Sequence, residues 1–280
     1  MNMLFFLCGI ITVGFVLCIS VYLIISGVPA IGKIGAADFF LGKVWKPTAT
    51  TVEPSYGILP FLLTSVYGTA GAVVLGVPIG LLTAVFLAKV APPRLAGMIR
   101  TAVQLLAGIP SVVYGLVGMI VLVPGVQRLF NLSSGATLFA AILVLAVMIL
   151  PSIINVSETA LRAVPREYED ASLALGATEL ETYFRVSVPA AKSGIATAIV
   201  LGVGRAIGEA MAIIVVSGNV PNMPELFGSV RFMTTAIASE MSYAPVGSLQ
   251  REALFSIGLV LFLFIMLINV LLNVFVKKER

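Results

Sequence analysis

Asp170-Ala171-Ser172-Leu173-Ala174-Leu175-Gly176 is followed, after nine further residues, by Val186-Ser187-Val188-Pro189. Both runs lie in a polar island, residues 158–193, in a chain otherwise close to pure hydrocarbon. The island carries Glu158, Arg162, Arg166, Glu167, Glu169, Asp170, Glu179, Glu181, Arg185 and Lys192, out of 17 Lys and Arg and 13 Asp and Glu in all. Within it, Tyr168, Ala171, Leu173, Ala174, Leu175 and Ala177 alternate with charges as in a short amphipathic helix. Gly176 is placed to end or bend that helix. Phe184, Val186 and Val188 anchor the segment after it, and Pro189 leads back to an apolar run. A solvated loop between spans needs no partner. A short helix of small residues and mixed charge also fits a groove on another protein.

Composition fixes the class. Of 280 residues, 59% are hydrophobic and 11% charged, with a mean hydropathy of +1.10, where a soluble domain has roughly 25% charged residues. The chain reads as an all-α integral membrane protein. Its net charge of +4 sits at the edges of apolar runs, so membrane orientation explains it better than nucleic acid does. There is no histidine, which removes the usual proton shuttle and the commonest metal ligand. Cys8 and Cys18 are about 15 Å apart on one helix, too far for a disulfide. Neither a metal site nor thiol chemistry can be built from this inventory.

Six spans of about 20 residues account for most of the chain: 3–26, 58–87, 98–123, 136–156, 194–217 and 253–276. Gly27-Val28-Pro29 ends the first. Residues 30–56 form a loop in which Trp45, beside Lys43 and Lys46, reads as lying at the headgroup level. The third span is broken at Gly108-Ile109-Pro110-Ser111. Residues 218–252 read as a long outer loop. This divides the chain into a first helix with its outer loop (1–57), a transmembrane domain (58–276) interrupted by the polar island, and a tail (277–280). Lys89, Arg94, Arg100, Arg162, Arg166, Arg185, Lys192, Lys277, Lys278 and Arg280 gather on one side. Lys33, Lys43, Lys46, Arg128, Arg231 and Arg251 lie on the other. The excess places both termini and the island in the cytoplasm.

Two motifs fail their context test. Gly27-Val28-Pro29-Ala30-Ile31-Gly32-Lys33 has phosphate-loop spacing, but Ile34 stands where a Ser or Thr is needed and no strand precedes it. Gly202 to Gly208 resembles a dinucleotide fingerprint with one residue too many, inside an apolar span. Its glycines fit close helix packing instead. Nothing here hydrolyses ATP.

The fifth span holds Arg205 and Glu209, one turn apart on one face and near mid-membrane by helical rise. An Arg at that depth costs at least about 2.5 kcal/mol. Two readings stay open: an ion pair that is merely structural, or a charged lining in which Arg205 meets an anion. Thr64, Ser65, Thr69, Gln104, Ser111, Tyr114, Asn155 and Ser217 are further polar residues in the spans. Ser111 and Tyr114 stand out because they come after the break at Gly108–Pro110, where a loosened backbone can line a cavity.

The island spacing resembles the EAA loop of ABC importer permeases: Asp170 for its Glu, Ala171, Ser172 for its second Ala, then Gly176, and Val186-x-Val188-Pro189 for Ile-x-Leu-Pro. Gly108-Ile109-Pro110-Ser111-Val112-Val113-Tyr114-Gly115 and Gly204-Arg205-Ala206-Ile207-Gly208-Glu209-Ala210 are similar to the phosphate (Pst) branch, PstC-type rather than PstA-type, since Ala210 replaces the Thr of Gly-Glu-Thr. The resemblance implies a type I importer permease (MetI-like) architecture, and no enzyme activity or cofactor in this chain. It implies a homologous PstA-type permease subunit, two ABC ATPase subunits that use ATP and Mg, and a phosphate-binding protein on the outer face. Glu167, Asp170, Ala171, Ser172, Gly176 and Pro189 would couple to the ATPase. Arg205, Glu209, Ser111 and Tyr114 would line the phosphate path in the cytoplasmic membrane of a bacterium or archaeon, with Glu209 holding Arg205 in place. The alternatives are a permease of the same class for molybdate, sulfate or another small solute, an ion-gradient-driven secondary carrier, or a structural scaffold.

Overall fold

The structure is a computed structural model, and it describes residues 2–48 and 53–278. Met1, residues 49–52 of the first outer loop, and Glu279 and Arg280 of the tail lie outside the described residues. Among the described residues, five helices are long and apolar enough to cross a membrane. A sixth is reached if Glu179–Ala190 and Lys192–Gly208, bent by 73°, count as one span.

Helix α1 (Asn2–Ile34) continues past Gly27 and Pro29 rather than stopping there. Close packing explains the difference. A Cβ at Gly27 would sit 3.0 Å from the Phe255 carbonyl oxygen, so the bare glycine lets α1 lie against α14 (Leu249–Lys278). The Ser256 hydroxyl donates to the Gly27 carbonyl at 2.5 Å, beside the turn where Pro29 has no N–H to give. Beyond α1 come α2 (Ala36–Leu41) and two short antiparallel strands, β1 (Trp45–Lys46) and β2 (Ser55–Tyr56). Trp45 does not face outward among headgroups. It is buried, its ring edge-on to Tyr56 and Phe61.

Helix α3 (Leu59–Val85) continues into one π-helical turn, Phe86–Val90. It packs along α7 (Leu138–Arg162) through glycines. A Cβ at Gly71, Gly76 or Gly80 would lie 2.7 Å from Ile142, Ile149 or Ile153 respectively, so small residues set the helix separation. The fourth span does not end at 156. It runs on to Arg162, so the island's first charges, Glu158 and Arg162, are helical.

The third span is two helices, α4 (Pro93–Gly108) and α5 (Ser111–Val117). The latter continues through a π-turn at Gly118–Leu122 into α6 (Val123–Leu129). Between them Ile109 and Pro110 are extended, because Pro110 cannot donate to the helix. The island forms α8 (Arg166–Ala174), α9 (Glu179–Thr182), a π-turn at Tyr183–Ser187 and α10 (Val188–Ala190). The fifth span is also two helices, α11 (Lys192–Gly208) and α12 (Met211–Val216). The outer loop is not simply a loop. It contains α13 (Met233–Glu240), whose first residues are buried, with the Met233 N–H donating to Ser65 on α3. Ser65 lies about 9 Å from the N-terminal end of α3 by helical rise, so this segment dips into the helix bundle.

Candidate functional site: paired breaks in mid-span and a charged joint at the helix ends

Two breaks are linked through the half-helices that follow them. Ile109 (φ −71°, ψ 128°) and Glu209 (φ −74°, ψ 132°) end α4 and α11 with nearly the same extended backbone. The half-helices beyond them, α5 and α12, pack directly together. A Cβ at Gly115 would lie 2.9 Å from the Ala212 Cα, so only glycine permits this approach.

Arg205 and Glu209 do not pair. Because α11 stops at Gly208, Glu209 leaves the helical face that four-residue spacing would have given it. Its Oε1 instead accepts from the Ala212 N–H at 3.0 Å, capping α12, and its carbonyl accepts from the Thr234 hydroxyl at 2.7 Å. Arg205 lies in the last turn of α11, half-buried, where the helix dipole favours a cation. Among the described residues it makes neither a hydrogen bond nor an ion pair. Its charge is felt at Tyr114. The Tyr114 hydroxyl donates to the Leu106 carbonyl at 2.7 Å, closing the break in the third span, and Ser111 begins the half-helix after it. Tyr114, after the first break, thus lies within electrostatic reach of Arg205, before the second. Among the described residues, the buried hydroxyls of Thr64, Thr69 and Ser217 have no hydrogen-bond partner.

The charged joint is built on the end of α3, where carbonyls run out of helical partners. Arg162 Nη2 donates to the Leu87 carbonyl at 2.9 Å, and Arg100 Nη2 reaches the same oxygen at 3.4 Å. Both guanidinium Nε atoms converge on Glu158 Oε1, at 2.7 Å from Arg100 and 2.9 Å from Arg162. Glu158 is buried, and two charge-assisted bonds offset the cost of burying it. Next to this knot Lys89 pairs with Glu169 of α8. The Ser187 hydroxyl donates to Glu169 at 2.8 Å, and the Tyr183 hydroxyl to the Lys89 carbonyl at 3.4 Å. Burial pushes the Glu169 carboxyl up, but the bonds from Lys89 and Ser187 and the charges of Lys89 and Arg166 outweigh it and hold the group below the usual range. A cavity of about 370 Å³ opens beside it, lined by Lys89, Arg162, Arg166, Asp170 and Glu179 among others.

Helix α8 buries none of its residues. Glu167, Asp170 and Ala171 are exposed, as are Tyr168, Leu173 and the adjoining Leu175. Gly176, at φ +87°, ends the helix: its N–H donates to Leu173 and that of Ala177 to Ser172, the paired closing bonds of a left-handed cap. Ser172 Oγ lies 2.9 Å from Thr182 Oγ1, fastening α8 to α9. A capping box between Thr178 and Glu181 starts α9, and Pro189 is exposed beyond it. The joint thus shows an outer face that mixes apolar and charged side chains, and a charged inner one.

Interrupted helices around a mid-span charge, joined to an exposed charged helix, define a multi-pass membrane permease. The chain belongs to the binding-protein-dependent transport system inner membrane component family, whose model matches residues 76–280. It is 37% identical over 271 residues to the probable ABC transporter permease protein YqgH of Bacillus subtilis (strain 168), covering 94% of this chain and 87% of that protein. It is 35% identical over 284 residues to the phosphate transport system permease protein PstC of Haemophilus influenzae, covering 94% and 87%. Among solved structures, a chain of the MetNI methionine ABC transporter in inward-facing conformation shares the fold, with a TM-score of 0.64 at 20% identity over 80% of this chain and 96% of that one. A chain of a bacterial alginate ABC transporter, solved in complex with its alginate pentasaccharide-bound periplasmic protein, gives 0.64 at 16% identity over 99% and 93%.

Proposed function

We propose that this chain is one permease subunit of an ATP-driven importer that moves inorganic phosphate across the cytoplasmic membrane by alternating access. The observation that carries the reading is Arg205: a mid-span guanidinium without an acidic partner among the described residues, within electrostatic reach of Tyr114 and near where two broken helices meet. Intramembrane charges cluster along solute routes, and a guanidinium suits the oxygens of phosphate. The PstC relatives support the choice of cargo. Glu209 caps α12 close by and lowers the positive potential, so that the anion can also leave. Six spans, with α11 and α12 forming the fifth, put both termini and residues 158–193 in the cytoplasm. There α8, with Glu167, Asp170, Ala171 and Gly176, enters an ABC ATPase that uses ATP and Mg. A homologous PstA-type subunit completes the path, a second ATPase serves it, and a phosphate-binding protein delivers cargo at the outer face.

The assembled transporter in vesicles tests this. Labelled phosphate should accumulate with ATP supplied on the ATPase side, and sulfate and molybdate should not. Arg205→Ala should cut uptake about a hundredfold, as expected for a lost charge-assisted contact in a dry path, while the complex still assembles. Unchanged phosphate uptake by Arg205→Ala would overturn the path role. Uptake of sulfate or molybdate in place of phosphate would move the cargo to another oxyanion. Gly176→Glu should release the ATPase with the permease still inserted, because φ is left-handed there and the new charge lands on the docking face.

A further inference from the structure

We infer that the Lys89–Glu169 pair is a strut that makes α8 and the cytoplasmic end of α3 move as one body, so that Lys89 and Glu169 are positioning residues for transport. The inference rests on the coupling role proposed for α8. Glu169 is not one of the residues that mark the island by spacing. Its neighbour Asp170 is, and Asp170 is exposed.

Helix α8 has no buried residue, so it is not held to the spans by apolar packing. Its chain connections lead to α7 at one end and, through Gly176, to α9 at the other. Its tie to α3 is Glu169, which meets Lys89 with side-chain exposures of only 17% and 11%. Several bonds converge on this one contact: Lys89 and Ser187 on the Glu169 carboxylate, and Tyr183 on the Lys89 carbonyl. The π-turn places the lysine. The Ala91 N–H donates to Phe86, five residues back, and one extra residue in the turn rotates the next side chains by about 100°. A second π-turn, Tyr183–Ser187, supplies both hydroxyls from the opposite side. The end of α3 receiving this tie is fixed to α4 and α7 by Arg100, Arg162 and Glu158. A push on α8 therefore enters α3, α4 and α7 together.

Three charge variants and one pair of labels test the strut. In the assembled transporter, Lys89→Glu and Glu169→Lys should each lower uptake about tenfold, within the range usual for a coupling free energy, with the ATPase still co-purifying. The double exchange should restore most of it. Full uptake in either single variant, or no recovery in the double exchange, overturns the strut. Loss of ATPase co-purification in the single variants would make these residues part of the docking face and equally overturn it. Gly176→Glu, by contrast, tests docking alone. Spin labels at Val90→Cys and Leu175→Cys, both exposed positions, with Cys8 and Cys18 replaced by serine, give a readout independent of cargo. Their separation should stay the same when ATP and vanadate are added, and broaden in Lys89→Met even without nucleotide. A wild-type separation that changes with nucleotide would show that the pair opens during the cycle, and the one-body inference would be wrong.

Discussion

Two charged regions of this molecule handle charge in opposite ways. At the charged joint the two inner acids are each bonded more than once: Glu158 between Arg100 and Arg162, Glu169 between Lys89 and Ser187. At the paired breaks, Arg205 and Glu209 lie four residues apart and still do not meet, because the helix stops between them. In the first region charge holds helices together. In the second, a backbone break keeps a cation available in an apolar setting, and the acid that could have neutralised it serves as a helix cap. Burial of charge alone does not distinguish structure from function; the bonding partners do.

Substitutions sharpen this contrast. The largest effect on stability falls in the joint. Glu158→Ala leaves two guanidinium groups without their shared acceptor, and should cost about 2 kcal/mol, seen as an earlier thermal transition of the purified permease. Uptake per folded complex should stay near wild type because Arg100 and Arg162 still hold the Leu87 carbonyl at the end of α3, and a transport defect at unchanged stability would erase the contrast. At the breaks, Glu209→Gln keeps an oxygen for the Ala212 N–H and removes only the charge. Stability should hold while uptake kinetics change about tenfold, the scale of a small charge-dependent term. Glu209→Ala should lose the cap as well, about 1 kcal/mol.

The smallest effect is pH-dependent. The Glu169 carboxyl is held below its ordinary value of 4.5. Its contribution to stability is therefore complete above that value and lost as pH falls through the lower folded one. The difference in thermal stability between wild type and Glu169→Gln should be flat at neutral pH and shrink only in acid.

Local patterns in the sequence carried the long apolar helices, though not their ends, together with the break at Pro110 and the end of α8 at Gly176, since apolar runs, proline and glycine act within a few residues of themselves. The spacing from Asp170 to Pro189 was likewise legible. The break at Glu209 was not: no proline marks it, and an Arg and a Glu at four-residue spacing look like a helical pair. Helix α13 was hidden because Phe232-Met233-Thr234-Thr235-Ala236-Ile237 is too short to read as a span. Trp45 beside lysines matched a headgroup anchor, although its indole N–H donates to Glu240, 195 residues away. Lys89 and Glu169 are also far apart in sequence, and the π-turn that aims the lysine has no local signature.

The glycine seam between α3 and α7 has a consequence for exchange with solvent. Where Gly71, Gly76 and Gly80 receive Ile142, Ile149 and Ile153, no side chain on the α3 side can change rotamer to let the helices part. Opening there must separate whole backbones. Deuterium entering the protein should reach the amides of that seam last, well after those of α8 and the half-helices at the breaks.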